Sequence, residues 1–169
     1  IDLHEASPEY PVVNTIVAHE RAMDLAATAN LALQSEGIDI GLEPSPRNLH
    51  GLSHRELGDA TGTLAILMET TNPAQGRLRG ATSANLMITG RDRFYAQASE
   101  QHRLSVPFPA TGWPIDVRVA RHLSGVRSLA AALGGLLPDR SIQIIGIPDY
   151  AQIVSGGVGA LLAPAGGAR

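Results

Sequence analysis

The sequence predicts an α/β domain: a mostly parallel or mixed sheet flanked by helices. Three observations carry that expectation. Leu64 to Asn72, LAILMETTN, opens with five apolar residues in a row, bounded by Thr61-Gly62-Thr63 and by Asn72-Pro73, as suits a buried strand too short for a good isolated helix. Ile1-Asp2-Leu3 reads as the end of another strand that delivers His4 and Glu5 to a loop. Between Ile115 and Gly134, the residues Val119, Leu123, Val126, Ala130 and Leu133 recur by fours and threes, the spacing of an amphipathic helix.

The remaining elements follow in order. From Asn14, a candidate N-cap, the apolar positions Ile16, Met23, Ala27 and Leu31 predict a helix over 14–35 that Gly37 ends. Glu20, Arg21 and Asp24 are then a solvated face and His19 a surface histidine. Residues 36–60, rich in glycine and proline, read as a long functional connection. A strand over 63–69 follows, so strand, helix, loop and strand make a βαβ unit with a right-handed crossover and parallel strands. His4 and Glu69 then share one edge of the sheet, and ligands of open α/β sheets bind at the carboxyl ends of the strands. Further on, a helix is expected from Asn85 to about His102 and a strand from Ser141 to Ile147. Asp149 is expected to cap a short helix over Tyr150 to Val154.

Composition narrows the chemistry. With 169 residues, net charge −3 and pI near 6.1, the chain is read as one domain, with no pull toward nucleic acid or an anionic membrane. Cysteine is absent, which removes disulfides, thiolate ligands and a thiol nucleophile. All 13 basic residues are arginine, so neither a Schiff base nor a P-loop lysine is available. No apolar run is long enough to span a membrane as a helix.

His4 and Glu69 are the main candidates for chemistry. A catalytic zinc needs about three protein ligands, an open position for water and a carboxylate to take the proton. His4 is a candidate ligand and Glu69 a candidate for the carboxylate. His50 and His54 stand i, i+4, as in HExxH sites, but no Glu follows His50 and a glycine interrupts the pair, leaving substrate contact or a plain loop role. A triad of Ser53, His54 and Asp59 fails locally, because adjacent side chains do not face one another. Arg77, in the basic turn GRLRG, is a candidate for a substrate carboxylate, since a guanidinium binds one bidentately.

IDLHEA, followed by GLSHRELGDATGTLAILMETTNPAQGRLRG, resembles the second half of the zinc carboxypeptidase family, the carboxypeptidase A type of metallopeptidase. The resemblance covers residues 1–80. It implies that His4 is the later histidine ligand to zinc, and that Glu69 is the general base and acid acting on zinc-bound water. It also implies that His50, His54 and Asp59 fall in the segment lining the specificity pocket. The family's His-x-x-Glu motif is absent, because the third residue after each of the six histidines is Ser, Ala, Ser, Leu, Ser or Gly. The expectation is therefore the C-terminal portion of a larger catalytic domain, with an N-terminal segment or partner chain supplying the other zinc ligands and residues 81–169 an unassigned extension. The implied function is a zinc-dependent metallopeptidase, a carboxypeptidase acting on a peptide or N-acyl amino acid. The alternatives are a small-molecule deacylase of the succinylglutamate desuccinylase or aspartoacylase type, and a non-catalytic subunit or binding module.

Overall fold

A computed structural model describes residues 1–6, 14–71 and 113–162. Four strands form one mixed sheet: β1 (Asp2–Ala6), β2 (Thr15–Ala18), β3 (Gly41–Pro44) and β4 (Ile66–Thr71), in the order β1-β4-β2-β3. β1 runs parallel to β4 and β2 parallel to β3, while β2 and β4 are antiparallel. The α/β class is thus as expected, and so is the parallel pairing of the His4 and Glu69 strands. The connection between those strands differs from a simple βαβ unit, because β2 and β3 lie within it. The compact βαβ unit is instead β2, α1 (Met23–Ser35) and β3.

The expected helix over 14–35 begins only at Met23, after a 3-10 turn at Glu20–Ala22. Thr15-Ile16-Val17-Ala18 is a fully buried central strand. Its β-branched residues favour a pleated surface, and helical spacing read across the join concealed the change of period. Asn14 is not a helix cap. It sits at φ 52°, and its Oδ1 accepts from the Thr71 amide at 3.3 Å, closing the end of β4. The buried apolar stripe of α1 is Ala26, Ala29 and Leu33, continued by Ala22 of the 3-10 turn, whereas Leu31 is exposed. These mostly small residues let the helix lie close to the sheet, where Ile16, Ala18, Ile66 and Met68 complete the core with Leu129 and Ala132.

The connection over 36–60 also holds more structure than its glycines and prolines suggest, namely β3 and the helix α2 (Ser53–Thr61). Asn30, buried on α1, steers the chain into β3 by donating from Nδ2 to the carbonyls of Ile40 and Gly41 at 2.8 and 3.2 Å. β4 starts and ends later than expected, so Glu69 stands inside the strand with two residues beyond it.

The helix predicted from Ile115 runs to Leu136 and is here α3. Its expected stripe, including Val126, Ala130 and Leu133, is only half buried and lines an apolar recess with Leu25 and Leu64. The fully buried positions include Arg118, Ser124, Gly125 and Ser128. The end of the Met68 side chain lies over Gly125: a Cβ there would stand 2.0 Å from its Cε, so the flexible thioether would have to move. Ser141 to Ile147 joins no strand among the described residues, and Ile145 is 84% exposed. With no strand partner, β propensity alone does not make a strand. Asp149 caps α4 (Tyr150–Gly156) as expected, in a reciprocal box with Gln152. A short α5 (Gly159–Leu162) follows. The helix expected over 85–102 lies outside the described residues.

Candidate functional site

Alternation along the strands separates two faces of the sheet. Ile16, Ala18, Ile66 and Met68 point to the α1 and α3 layer. The opposite face carries His4 and Ala6 of β1, Leu67 and Glu69 of β4, Val17 of β2 and Glu43 of β3. With Pro44, Pro46, Leu49, Leu52 and His54 of the following segment, these line a groove of about 480 Å³. Three of the residues singled out in the sequence, His4, Glu69 and His54, therefore meet in one cavity.

The register places His4 directly opposite Glu69. Nδ1 of His4 lies 2.9 Å from Oε1 of Glu69, so the imidazole donates and the carboxylate accepts. The histidine side chain is 58% exposed and that of the glutamate 10%. An ionised carboxyl held this far from water needs a partner, and His4 provides one. Glu69 keeps its second oxygen for another donor. From the other side of the sheet, His122 of α3 approaches the backbone of His4, and burial holds its pKa below that of an ordinary histidine despite the nearby Glu5. Arg118 of α3 bonds Glu5 at 2.7 Å and so fixes the strand that carries His4.

His54 is buried at the start of α2, and its Nε2 has no hydrogen-bond partner among the described residues. Burial, then the adjacent Arg55 charge, lowers its pKa, so it is a neutral ring at pH 7. His50 lies before α2 and is highly exposed, 3.6 Å from Glu56. The two histidines thus do not share a helical face, and His50 is not part of the groove lining.

Asp59 also lies outside that lining. It accepts from Nε2 of His19 at 2.9 Å and pairs with Arg55 at 3.4 Å. Arg55 in turn reaches Oε2 of Glu20 at 2.8 Å and donates to the Ser45 carbonyl. His19 is consequently not a surface residue: it is 4% exposed, its Nδ1 accepts from the Arg21 amide, and its Nε2–H faces Asp59. The His19 hydrogen bond, with Arg55 close by, holds the Asp59 carboxyl below its usual range. Arg55 and Arg47 hold Glu20 down to about 2. This network binds α2 to the end of β2 and so builds one wall of the groove. Arg77 lies outside the described residues.

Residues that line the groove without having been singled out are Val17, Glu43, Leu49 and Leu52. Only Glu43 bears chemistry, and a lone Glu in GLEP gives no local signal of it. Among the described residues, no three His, Asp or Glu side chains converge as metal ligands. His4 supplies one imidazole toward the three protein ligands of a catalytic zinc, so these residues do not by themselves fit that metal. No described helix is long and apolar enough to cross a membrane. Comparison with protein-family models, with curated proteins and with solved structures finds no match.

Proposed function

We propose that this chain carries the proton-transfer half of an amide hydrolase of the zinc carboxypeptidase type, acting on a peptide or an N-acyl amino acid. The observation that carries the reading is the His4–Glu69 pair, 2.9 Å apart, opening on a groove large enough for a small ligand. Glu69 is the general base: its oxygen not bonded to His4 takes a proton from the attacking water and returns it to the departing amine, the double task of a positioned carboxylate. His4 holds that carboxylate in place. Apolar neighbours such as Val17 and Leu67 keep competing water from it.

Zinc belongs to this proposal through the resemblance of DLHEA and ILMETTN to the family motifs, with His4 as one ligand. Its remaining ligands would come from outside the described residues or from a partner chain. A deacylase acting on small N-acyl amino acids is the second reading, favoured by the modest groove volume. In an assay of dipeptides and N-acetyl amino acids with zinc supplied, Glu69→Gln is expected to lower the rate at least ~100-fold while leaving the fold intact. Activity that survives this change removes Glu69 as base. A purified chain that binds no zinc and hydrolyses neither class would be a binding module.

A further inference from the structure

The groove crosses the whole sheet, and its two ends differ in charge. At the β1 and β4 end, the carboxylate of Glu69 is engaged by His4. Between the ends, Val17, Leu67, Leu49 and Leu52 make an apolar floor and wall. His54, which also lines the groove, is buried and its Nε2 has no partner among the described residues. At the far end, on β3, stands Glu43, which makes no hydrogen bond or ion pair among the described residues. Its register partner is Val17, itself opposite Leu67. Two inter-strand spacings and one two-residue step along the strand therefore separate Glu43 from Glu69, about 12 Å between Cα atoms.

We propose that Glu43 is a specificity-determining residue that selects ligands with an apolar stem ending in a cation, an alkylammonium or guanidinium. The inference rests on the hydrolase reading only for what lies at the other end of the groove, where the amide would meet Glu69. The stem lies on Val17 and Leu67, as an amphipathic chain does when its charged head stays in water. The cation meets the one carboxylate of the lining that has no partner among the described residues, at an exposed position where an ion pair is worth up to ~1 kcal/mol, or about fivefold in affinity. A ligand ending in a carboxylate meets like charge instead.

Ligand-detected NMR titration of the full chain with hexylamine, hexanol and hexanoate at neutral pH and low salt tests this without any turnover. Hexylamine is expected to bind about fivefold more tightly than hexanol, with hexanoate weakest. Glu43→Gln, an exposed change that leaves the fold intact, is expected to bring hexylamine to the level of hexanol without moving hexanol. Leu67→Ala is expected to weaken both. Equal binding of amine and alcohol, or a preference that survives Glu43→Gln, overturns the proposal and leaves Glu43 as a charge guarding an edge strand. A chain that prefers the amine but hydrolyses no amide keeps this selectivity and loses the hydrolase reading. A chain that hydrolyses amides without preferring the amine does the reverse.

Discussion

Gly58 of α2 lies flat against the imidazole of His19: a Cβ at that glycine would stand 2.2 Å from Cδ2 and 2.5 Å from Cγ of the ring. The contact explains how a histidine just after β2 is buried under a helix that starts 34 residues later, and why its Nε2 can reach Asp59, the residue next to that glycine. It also inverts the usual helix rule.

In an exposed helix interior, Gly→Ala stabilises by about 1 kcal/mol. Gly58→Ala is expected to destabilise by about 1–3 kcal/mol instead, because a rigid ring held at both nitrogens must move. Gly135→Ala in α3, where nothing lies within 4 Å of the added carbon, is the control and should be neutral or stabilising. Urea denaturation of the two variants measures the contrast.

The same network sets an acid limit. Glu20 drops from 4.5 to about 2 and Asp59 is also lowered, so both carboxyls bind protons more weakly in the folded chain than in the unfolded one. Their contribution is complete above the unfolded values near pH 4 and is lost as pH falls through the folded ones. Melting temperature is expected to fall between about pH 4.5 and 2, and Glu20→Gln should flatten that part of the profile while lowering stability at pH 7. A profile identical to that of the unaltered chain would remove Glu20 as a cause.

Arg118 is 1% exposed and bonds both Glu5 and the Trp113 carbonyl, at 2.7 and 2.6 Å. Removing the buried guanidinium breaks two hydrogen bonds, while the Glu5 carboxylate left behind is 28% exposed and can turn to water. Arg118→Met is expected to cost about 1–3 kcal/mol. Glu5→Gln in the Arg118→Met background should add less than it does alone, a coupling that a double-mutant cycle reads directly.

Asn30 gives a test independent of charge. Its side-chain amide serves the carbonyls of Ile40 and Gly41 at the entry to β3. Asn30→Leu fits the apolar surroundings of α1 but leaves the Ile40 carbonyl with Gln34 Nε2, at 3.3 Å, as its side-chain donor and the exposed Gly41 carbonyl to water, and is expected to cost about 1 kcal/mol. Hydrogen exchange should show faster opening of β3, the strand that carries Glu43, with little change in β1.

What could be read from the sequence was local or strongly periodic. α3 shows in its spacing of three and four, the Asp149 cap in its reach to Gln152, and β4 in an unbroken apolar run. The parallel pairing of β1 with β4, and hence the meeting of His4 with Glu69, followed from strands recognised at both ends. The rest depends on partners far along the chain. β2 looked like the start of a helix because only pairing with β3 and β4 makes four buried residues a strand. Residues 141–147 looked like a strand, but join no sheet among the described residues. His19 looked exposed until Gly58 and Asp59 closed on it. Glu43 became part of a site only when the order β1-β4-β2-β3 put β3 on the far side of the same groove. Short-range pattern settles which residues are apolar and where a turn begins. Which polar side chains share a cavity is decided by strand order and register, and these are fixed by contacts between segments that no local window contains.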